Sequence, residues 1–462
     1  MYLERFYDDD LAQASYLIGS ERAGEAVVVD PRRDVRVYVE AARAKKLRIV
    51  AVTETHVHAD FLSGAKELAT VTESDLYLSA EGGQDWRYRY DHRPLHHGDV
   101  IEIGEVRLEA LHTPGHTPEH LAFLVTDGAR GEEPGFLISG DFIFVGDLGR
   151  PDLLDEVAGY VDTRFQGARL LRRSLLDLLK KAKDHVTIWP GHGAGSACGK
   201  SLAAVPSSTV GYERLTAWWA GLLDDEKAFA DELLAGQPDA PTYFGRMKRL
   251  NRDGPPLLGE REPLKRLTAG EVAGRVNRDL IVFDTRPLAE QRTGTVPGAL
   301  SVPGGGSFAT YAAYAVDPDV DPRPIVLIAR DQQHADRLRE RLSYVGLDDV
   351  AGYLTGLTGL QLRAVPLQPA AQARGRRDAT FLDVRTVDEF AGGAAPGALR
   401  IPVGQVLERI AEVPKGRPVI VYCRGGGRAA VAASLLRNRG FAEVIELTDS
   451  DGAWSREAEP AA

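Results

Sequence analysis

Cysteine is nearly absent from this chain: Cys198 and Cys423 are the only two in 462 residues. One pair cannot build a disulfide framework in so long a chain, so the sequence reads as that of a reducing compartment. Any thiol chemistry must use one of these two sulfurs. Also missing is any run approaching the roughly 18–20 apolar residues of a membrane-spanning helix. Met1 to Asp10 is acidic and lacks an apolar core, so no secretory signal is read there. There is no basic excess either. The net charge is −11 and the pI about 5.6, which argues against a nucleic-acid or anionic-membrane partner. The remaining composition, 44% hydrophobic and 27% charged, is that of an ordinary globular protein, expected in the cytoplasm. The length suggests two to four domains.

The pattern along the chain is α/β and multidomain. In a first block, residues 1–258, strand-like runs are expected at 26–29, 47–52, 106–111, 121–125, 135–139 and 186–189. Helices are expected at 35–46, 169–183 and 212–235. This alternation fits an αββα sandwich carrying its ligands on loops at one edge. Trp218-Trp219 suits an interface or a core, and Gly254-Pro255-Pro256 closes the block as a linker.

An internal repeat fills the rest, as two units at 259–366 and 367–462. Asp279-Leu-Ile-Val-Phe-Asp284-Thr-Arg286 aligns without gaps on Asp378-Ala-Thr-Phe-Leu-Asp383-Val-Arg385. The register carries Glu290 onto Glu389 and Pro297-Gly298-Ala299-Leu300 onto Pro396-Gly397-Ala398-Leu399. A second segment places Arg323-Pro324 on Arg417-Pro418 and Gly346 on Gly440. Each unit reads as a small α/β domain with a parallel sheet.

Chemistry concentrates in two places. The first is Thr55-His56-Val57-His58-Ala59-Asp60-Phe61, where two histidines and an aspartate alternate after an apolar strand. Imidazole and carboxylate at this spacing suit a divalent transition metal. His116 follows in a Gly-His turn, Asp141 in a Gly-Asp turn and His192 in a Gly-His turn; glycine beside each lets a tight loop approach closely. Spacing alone also offers His56, His58 and His116 as a three-histidine zinc site. Cys198 lies shortly after His192, in a glycine-rich stretch with Lys200, and is read either as a packed thiol or as a pocket-rim thiol held as thiolate. Arg150 and Arg214 are candidate contacts for an anionic carrier.

The second is Cys423-Arg424-Gly425-Gly426-Gly427-Arg428, between an apolar strand and a helix. Backbone N–H groups of such a loop converge on the sulfur at a helix N-terminus, and Arg424 and Arg428 add positive charge, favouring thiolate. Three glycines leave room for an extra sulfur atom. In the repeat register Ala329 takes the Cys423 position, His334 takes that of Arg428, and Asp331-Gln332-Gln333 replaces the glycines. The middle unit thus keeps the outline without the nucleophile, as a spacer or docking platform.

The first loop resembles the His-x-His-x-Asp-His signature of the metallo-β-lactamase superfamily, with Phe61 in place of the last histidine, which favours one metal over two. Gly149-Arg150-Pro151-Asp152 resembles a stretch of that superfamily's persulfide dioxygenases. The resemblance implies one Fe(II) per chain held by His56, His116 and Asp141, with zinc the alternative, and His58, Asp60 and His192 orienting ligands or water around it. The second loop, with Leu382-Asp383-Val384-Arg385, Glu389-Phe390 and Gly452-Ala453-Trp454, resembles rhodaneses. This implies Cys423 and Arg428 as catalytic groups, and Arg424, Gly425, Gly426 and Gly427 as substrate-binding ones. Phosphatases use a similar cradle that is usually one residue longer.

The whole chain resembles persulfide dioxygenase–rhodanese fusions, some of which carry a stretch like that around Cys198 and so implicate it in catalysis. The implied task is oxidation of a low-molecular-weight thiol persulfide by dioxygen to sulfite and thiol, with sulfur transfer to sulfite giving thiosulfate. A homo-oligomer, dimer or tetramer, is implied as well. Two alternatives stand beside it: a glyoxalase II-like zinc thioester hydrolase with an appended sulfurtransferase, and a sulfur carrier with a degenerate metal block.

Overall fold

Short runs of β-branched residues, each ended by Gly, Pro or Asp, make strands wherever both faces can be covered. In a computed structural model, which describes residues 1–153 and 163–449, the chain divides into two compact units. One is Met1–Ala240 with Phe244–Gly259; the other is Pro241–Tyr243 with the chain from Glu260 onward.

The first unit holds two six-stranded sheets. One has the order β1 (Tyr2–Asp8), β2 (Gln13–Ser20), β3 (Glu25–Val29), β4 (Arg48–Thr53), β5 (Asp75–Ser79), β6 (Arg93–Leu95). The other runs from β7 (Val100–Ile103) through β8 (Val106–His112), β9 (Leu121–Asp127), β10 (Phe136–Gly140) and β11 (Thr187–Pro190) to β12 (Ser208–Thr209). Strand periodicity sorts their side chains. Val27, Val29 and Ala51 face Leu108, Phe123 and Ile138 between the sheets. Val28 and Val52 turn outward onto Tyr38 of helix α1 (Arg36–Ala44) and Leu68 of α2 (Ala65–Thr72). Leu124 and Leu137 meet Leu171, Leu175 and Leu178 of α3 (Thr163–Lys181). Each such leucine is fully or nearly buried, worth about 1.5–3 kcal/mol of transfer free energy. The expected αββα sandwich is therefore present.

The helix expected over 212–235 is instead three pieces: Val210–Thr216, a 3-10 turn at Trp218–Leu222, and Glu226–Leu234. Ala217 is extended (φ −72°, ψ 143°), and Asp225 accepts the Ala228 N–H to start a new helix. Capping thus overrides apolar periodicity. Trp219 is buried in the core and Trp218 packs on Phe229, so this pair serves packing within the unit.

The second unit contains two parallel sheets. The middle repeat has the order β14 (Leu300–Ser301), β13 (Ile281–Asp284), β15 (Ile325–Ile328), β16 (Val350–Leu354). The last has β17 (Leu367–Gln368), β21 (Val444–Leu447), β20 (Val419–Tyr422), β18 (Thr380–Asp383), β19 (Leu399–Arg400). The repeat extends to single atoms. Arg286 grips Asp284 through Nε at 2.9 Å and Nη2 at 2.6 Å, and Arg385 grips Asp383 at the same two distances. Each arginine then reaches a glycine carbonyl, Gly294 or Gly393. Among the described residues, no helix is long and apolar enough to cross a membrane. Gly452-Ala453-Trp454 lies outside the described residues.

Candidate functional site

Strand ends set the metal cluster. The loop after β4 carries His56, His58 and Asp60; the turn between β8 and β9 carries His116; Asp141 directly follows β10 and His192 lies two residues past β11. The register of β10 against β11 shifts between Ile138 and Gly140, and such an irregularity re-aims the next side chain. Gly140 has φ +51°, and a Cβ there would lie 2.6 Å from Thr55; one at Gly149 would strike the Asp141 carbonyl. Only glycine allows this closeness.

His56, His116 and Asp141 come together, all buried, with one potential ligand atom from each within 4.8 Å of the others. Asp141 Oδ2 lies 3.5 Å from His116 Nε2 and 3.9 Å from His56 Nε2. Both histidines have their other nitrogen occupied. His116 Nδ1 donates to the Arg150 carbonyl at 3.1 Å. His56 Nδ1 meets Thr55 Oγ1 at 2.9 Å, and that hydroxyl donates to Asp30 Oδ2 at 2.9 Å. These bonds fix the tautomers so that each Nε2 lone pair faces the cluster. Burial, then the neighbouring imidazoles, holds His56 well below its ordinary range; burial takes His116 down to about 3. Both are therefore neutral, the form a metal binds. Burial raises Asp141 to about 6; neither carboxylate oxygen receives an N–H or O–H donor, and the nearby Cys198 thiol is its weak partner. A buried carboxylate without N–H or O–H donors beside two neutral imidazoles fits a divalent cation.

His58 is placed differently. Its Nε2 turns to Glu54 Oε2 at 2.9 Å and Asp30 Oδ1 at 3.1 Å. Burial opposes its charge, but the two carboxylates outweigh burial and raise it well above its ordinary range. Its Nδ1 is buried without a hydrogen-bond partner, and Asp30, Glu54 and His58 form a further buried group that could hold a metal. Phe61 is buried against the His58 ring, 4.5 Å between centroids.

Asp60, His192 and Cys198 form a neighbouring buried cluster. His192 donates from Nδ1 to the Ala12 carbonyl at 3.0 Å, and its Nε2 lies 3.3 Å from Asp60 and 3.5 Å from Asp141. Cys198 is thus buried beside Asp60 and His192. Burial, then Asp141 and Asp60, pushes its thiol well up, which opposes the thiolate expected there. Lys200 points elsewhere, pairing with Glu232 at 3.0 Å. Arg150 is fully buried, forks onto Asp152 and donates to the carbonyls of Ala197 and Pro238. It ties the Cys198 segment to the Asp141 loop and does not meet a carrier. Arg214 pairs with Asp184 at 2.9 Å.

Sequence reasoning missed several supports. His120 stacks on His56 at 5.0 Å, and its Nε2 accepts the Asp141 N–H at 3.1 Å. Asn251 donates to the carbonyls of His58 and Phe61 and accepts the Ser63 N–H. Only the His120 position beside Pro118-Glu119 gave any local signal. Asp30 acts across 28 residues and Asn251 across 193, while Glu54 lies only four residues before His58.

In the second unit, Cys423 follows β20, and its buried sulfur accepts the N–H groups of Gly426 at 3.1 Å and Ala429 at 3.4 Å. These open helix α8 (Gly427–Asn438), whose N-cap Gly426 has φ +86° and no capping side chain; intervening helices α4 (Leu288–Thr293), α5 (Phe308–Ala315), α6 (Gln332–Ser343) and α7 (Val387–Ala391) belong to the same unit. Arg428 does not present a bare charge to the sulfur. It forks onto Glu389 at 2.5 and 2.8 Å and holds that carboxyl down to about 2. Glu389 also closes a capping box with Thr386. Arg424 and Gly425 are exposed on the loop.

Comparisons with known proteins agree with this division. Residues 8–192 match the metallo-beta-lactamase superfamily and 368–457 the rhodanese-like domain. The crystal structure of a metallo-beta-lactamase from Staphylococcus aureus subsp. aureus COL is 39% identical, with TM-score 0.69, over 76% of this chain and 99% of that one. A sulfurtransferase of Allochromatium vinosum is 37% identical over 83 residues, 18% of this chain and 78% of that protein. A hydroxyacylglutathione hydrolase of Synechococcus is 35% identical over 27% of this chain and 49% of that protein. The chain belongs to the metallo-beta-lactamase superfamily, with a rhodanese-like domain joined to its metal-binding domain.

Proposed function

We propose that the protein oxidises a low-molecular-weight thiol persulfide at a single iron and passes sulfane sulfur to sulfite at Cys423. The observation that carries this reading is the buried His56–His116–Asp141 cluster, while the His58 Nε2 turns to Glu54 and Asp30 instead. Two imidazoles and one carboxylate leave several coordination positions open, the donor set of non-haem Fe(II) oxygenases.

Bound there, Fe(II) supplies the electron transfer that dioxygen chemistry needs. The balance is R–SSH + O2 + H2O giving R–SH and sulfurous acid, ionised to sulfite. The Arg150 carbonyl and the Thr55–Asp30 pair keep the His116 and His56 lone pairs inward. His58, Asp60 and His192 line the far side, where His192 and Asp60 orient water or the departing thiol. Cys198 stands beside them as an acceptor or relay of sulfane sulfur. At the second site Cys423 takes the outer sulfur of a persulfide, releasing thiol. Sulfite then attacks that sulfur, so thiosulfate leaves and the Cys423 sulfur regains its electron pair. Joining the two sites raises the local concentration of sulfite.

The similarity to a hydroxyacylglutathione hydrolase favours a second reading, a zinc thioester hydrolase. Elemental analysis of anaerobically purified protein with an oxygen electrode separates the two. One iron per chain and persulfide-dependent oxygen uptake are expected. Zinc with thioester cleavage and no uptake would overturn the proposal.

A further inference from the structure

The glycines of the Cys423 loop are fitted to side chains of the other repeat. A Cβ on Gly426 would lie 2.8 Å from Arg292 Nη2 and 3.9 Å from Leu288, both from α4. A Cβ on Gly427 would lie 3.5 Å from the ring and hydroxyl of Tyr311, on α5. Elements of the middle repeat thus form a wall over the loop. That repeat has no nucleophile of its own, since Ala329 stands where the sulfur would be.

Charge explains what this wall does. The Arg428 guanidinium is already claimed by Glu389. Arg292 reaches Glu446 only at 3.7 Å, and Glu446 sits closer to Arg437, at 3.0 Å. Two guanidinium groups on one buried carboxylate leave one positive charge in excess. The Arg292 Nε is buried without a hydrogen-bond partner, while its Nη2 faces Gly426. Tyr311 is partly buried, and its hydroxyl makes no hydrogen bond among the described residues. Arg428 and Glu389 both act electrostatically on that hydroxyl. A cation against Gly426 and an uncommitted O–H donor against Gly427 therefore flank the loop whose buried sulfur already receives two backbone N–H groups. This arrangement suits a small oxyanion, whose charge and acceptor oxygens it matches.

We propose that Arg292 and Tyr311, from the cysteine-less repeat, form the anion-binding wall of the Cys423 site, so that the middle repeat selects a sulfur oxyanion for the last repeat to react with. This rests on the sulfur-transfer reading for the identity of the anion, sulfite or thiosulfate, but not for the wall itself. Arg292 acts by touching the substrate's oxygens, and Tyr311 by donating to one of them.

The test compares two alkylating reagents on the full-length protein, with Cys423 modification followed by peptide mass spectrometry. Iodoacetate carries a carboxylate; iodoacetamide is its neutral counterpart. In Arg292→Gln the iodoacetate rate should fall roughly tenfold while the iodoacetamide rate holds within about twofold, and Arg292→Lys should recover most of the loss. Tyr311→Phe should show the same contrast at about threefold. In thiosulfate-to-cyanide transfer, Arg292→Gln should raise KM for thiosulfate with kcat little changed. Equal rates in wild type and Arg292→Gln, or an equal fall with both reagents, would overturn the wall. So would a Cys423 that neither reagent reaches. If the contrast holds but wild-type protein transfers no sulfur, the wall stands and the sulfur-transfer reading fails.

Discussion

The two repeats of the second unit place a helix N-terminus behind the same strand end and use it in opposite ways. In the middle repeat, Asp331 caps α6 by accepting the His334 N–H at 2.7 Å. In the last repeat the cap position is Gly426, and the free N–H groups go to the Cys423 sulfur. One carboxylate therefore occupies what the other repeat gives to a sulfur. Losing a thiol and gaining an aspartate are two halves of one change, because an unfilled helix N-terminus is itself unfavourable. The Asp–Arg–glycine carbonyl lock is retained in both, so the scaffold has survived where the chemistry has not.

The comparison is best broken first from outside the pair. His116→Ala removes a cluster member from the first unit and should lower persulfide-dependent oxygen uptake by more than roughly a hundredfold. Thiosulfate-to-cyanide transfer should remain. Intact oxygen uptake would mean that the metal domain is a scaffold and the protein a sulfur carrier.

Installing the missing sulfur sharpens the contrast. In Ala329→Cys the introduced thiol should be alkylated by iodoacetate about tenfold more slowly than Cys423, because Asp331 holds the helix donors and repels anions. Adding Asp331→Gly should close most of that gap. Equal reactivity of the introduced thiol and Cys423 in the single variant would show that the cap is irrelevant.

The Glu389–Arg428 pair has no counterpart in the middle repeat, where His334 replaces the arginine. Glu389 is held from its ordinary 4.5 down to about 2, chiefly by Arg428. A depressed carboxyl contributes stability that is complete above about 4.5 and is lost as pH falls toward 2. Thermal unfolding of wild type should therefore weaken more steeply through that window than unfolding of Glu389→Gln. Parallel curves would contradict the pairing. The smallest effect is expected from Asp331→Ala, which should cost about 1 kcal/mol by urea unfolding. No change in the midpoint would mean that the cap is not formed in solution.

The residues that carry the clusters are legible in the sequence because His116, Asp141 and His192 each follow a glycine and His56 opens an alternating His-x-His-x-Asp run just past a strand. His56, His116, Asp141 and His192 can be read in order, and Cys423 is exposed by comparison with Ala329. The groups that tune them are not legible. Asp30 and Glu54 hold the His58 Nε2 and raise its pKa, yet nothing local marks a buried carboxylate. Arg150 lies within a recognisable stretch, but its burial depends on carbonyls supplied by Ala197 and Pro238. The 212–235 segment misleads because apolar spacing continues across Ala217 while the helical backbone does not.

The division of labour between the two units is tested most directly by oxygen uptake and product analysis of Cys423→Ser supplied with a small-thiol persulfide. Uptake should match wild type, and the product should change from thiosulfate to sulfite. Loss of oxygen uptake in this variant would contradict two separate sites.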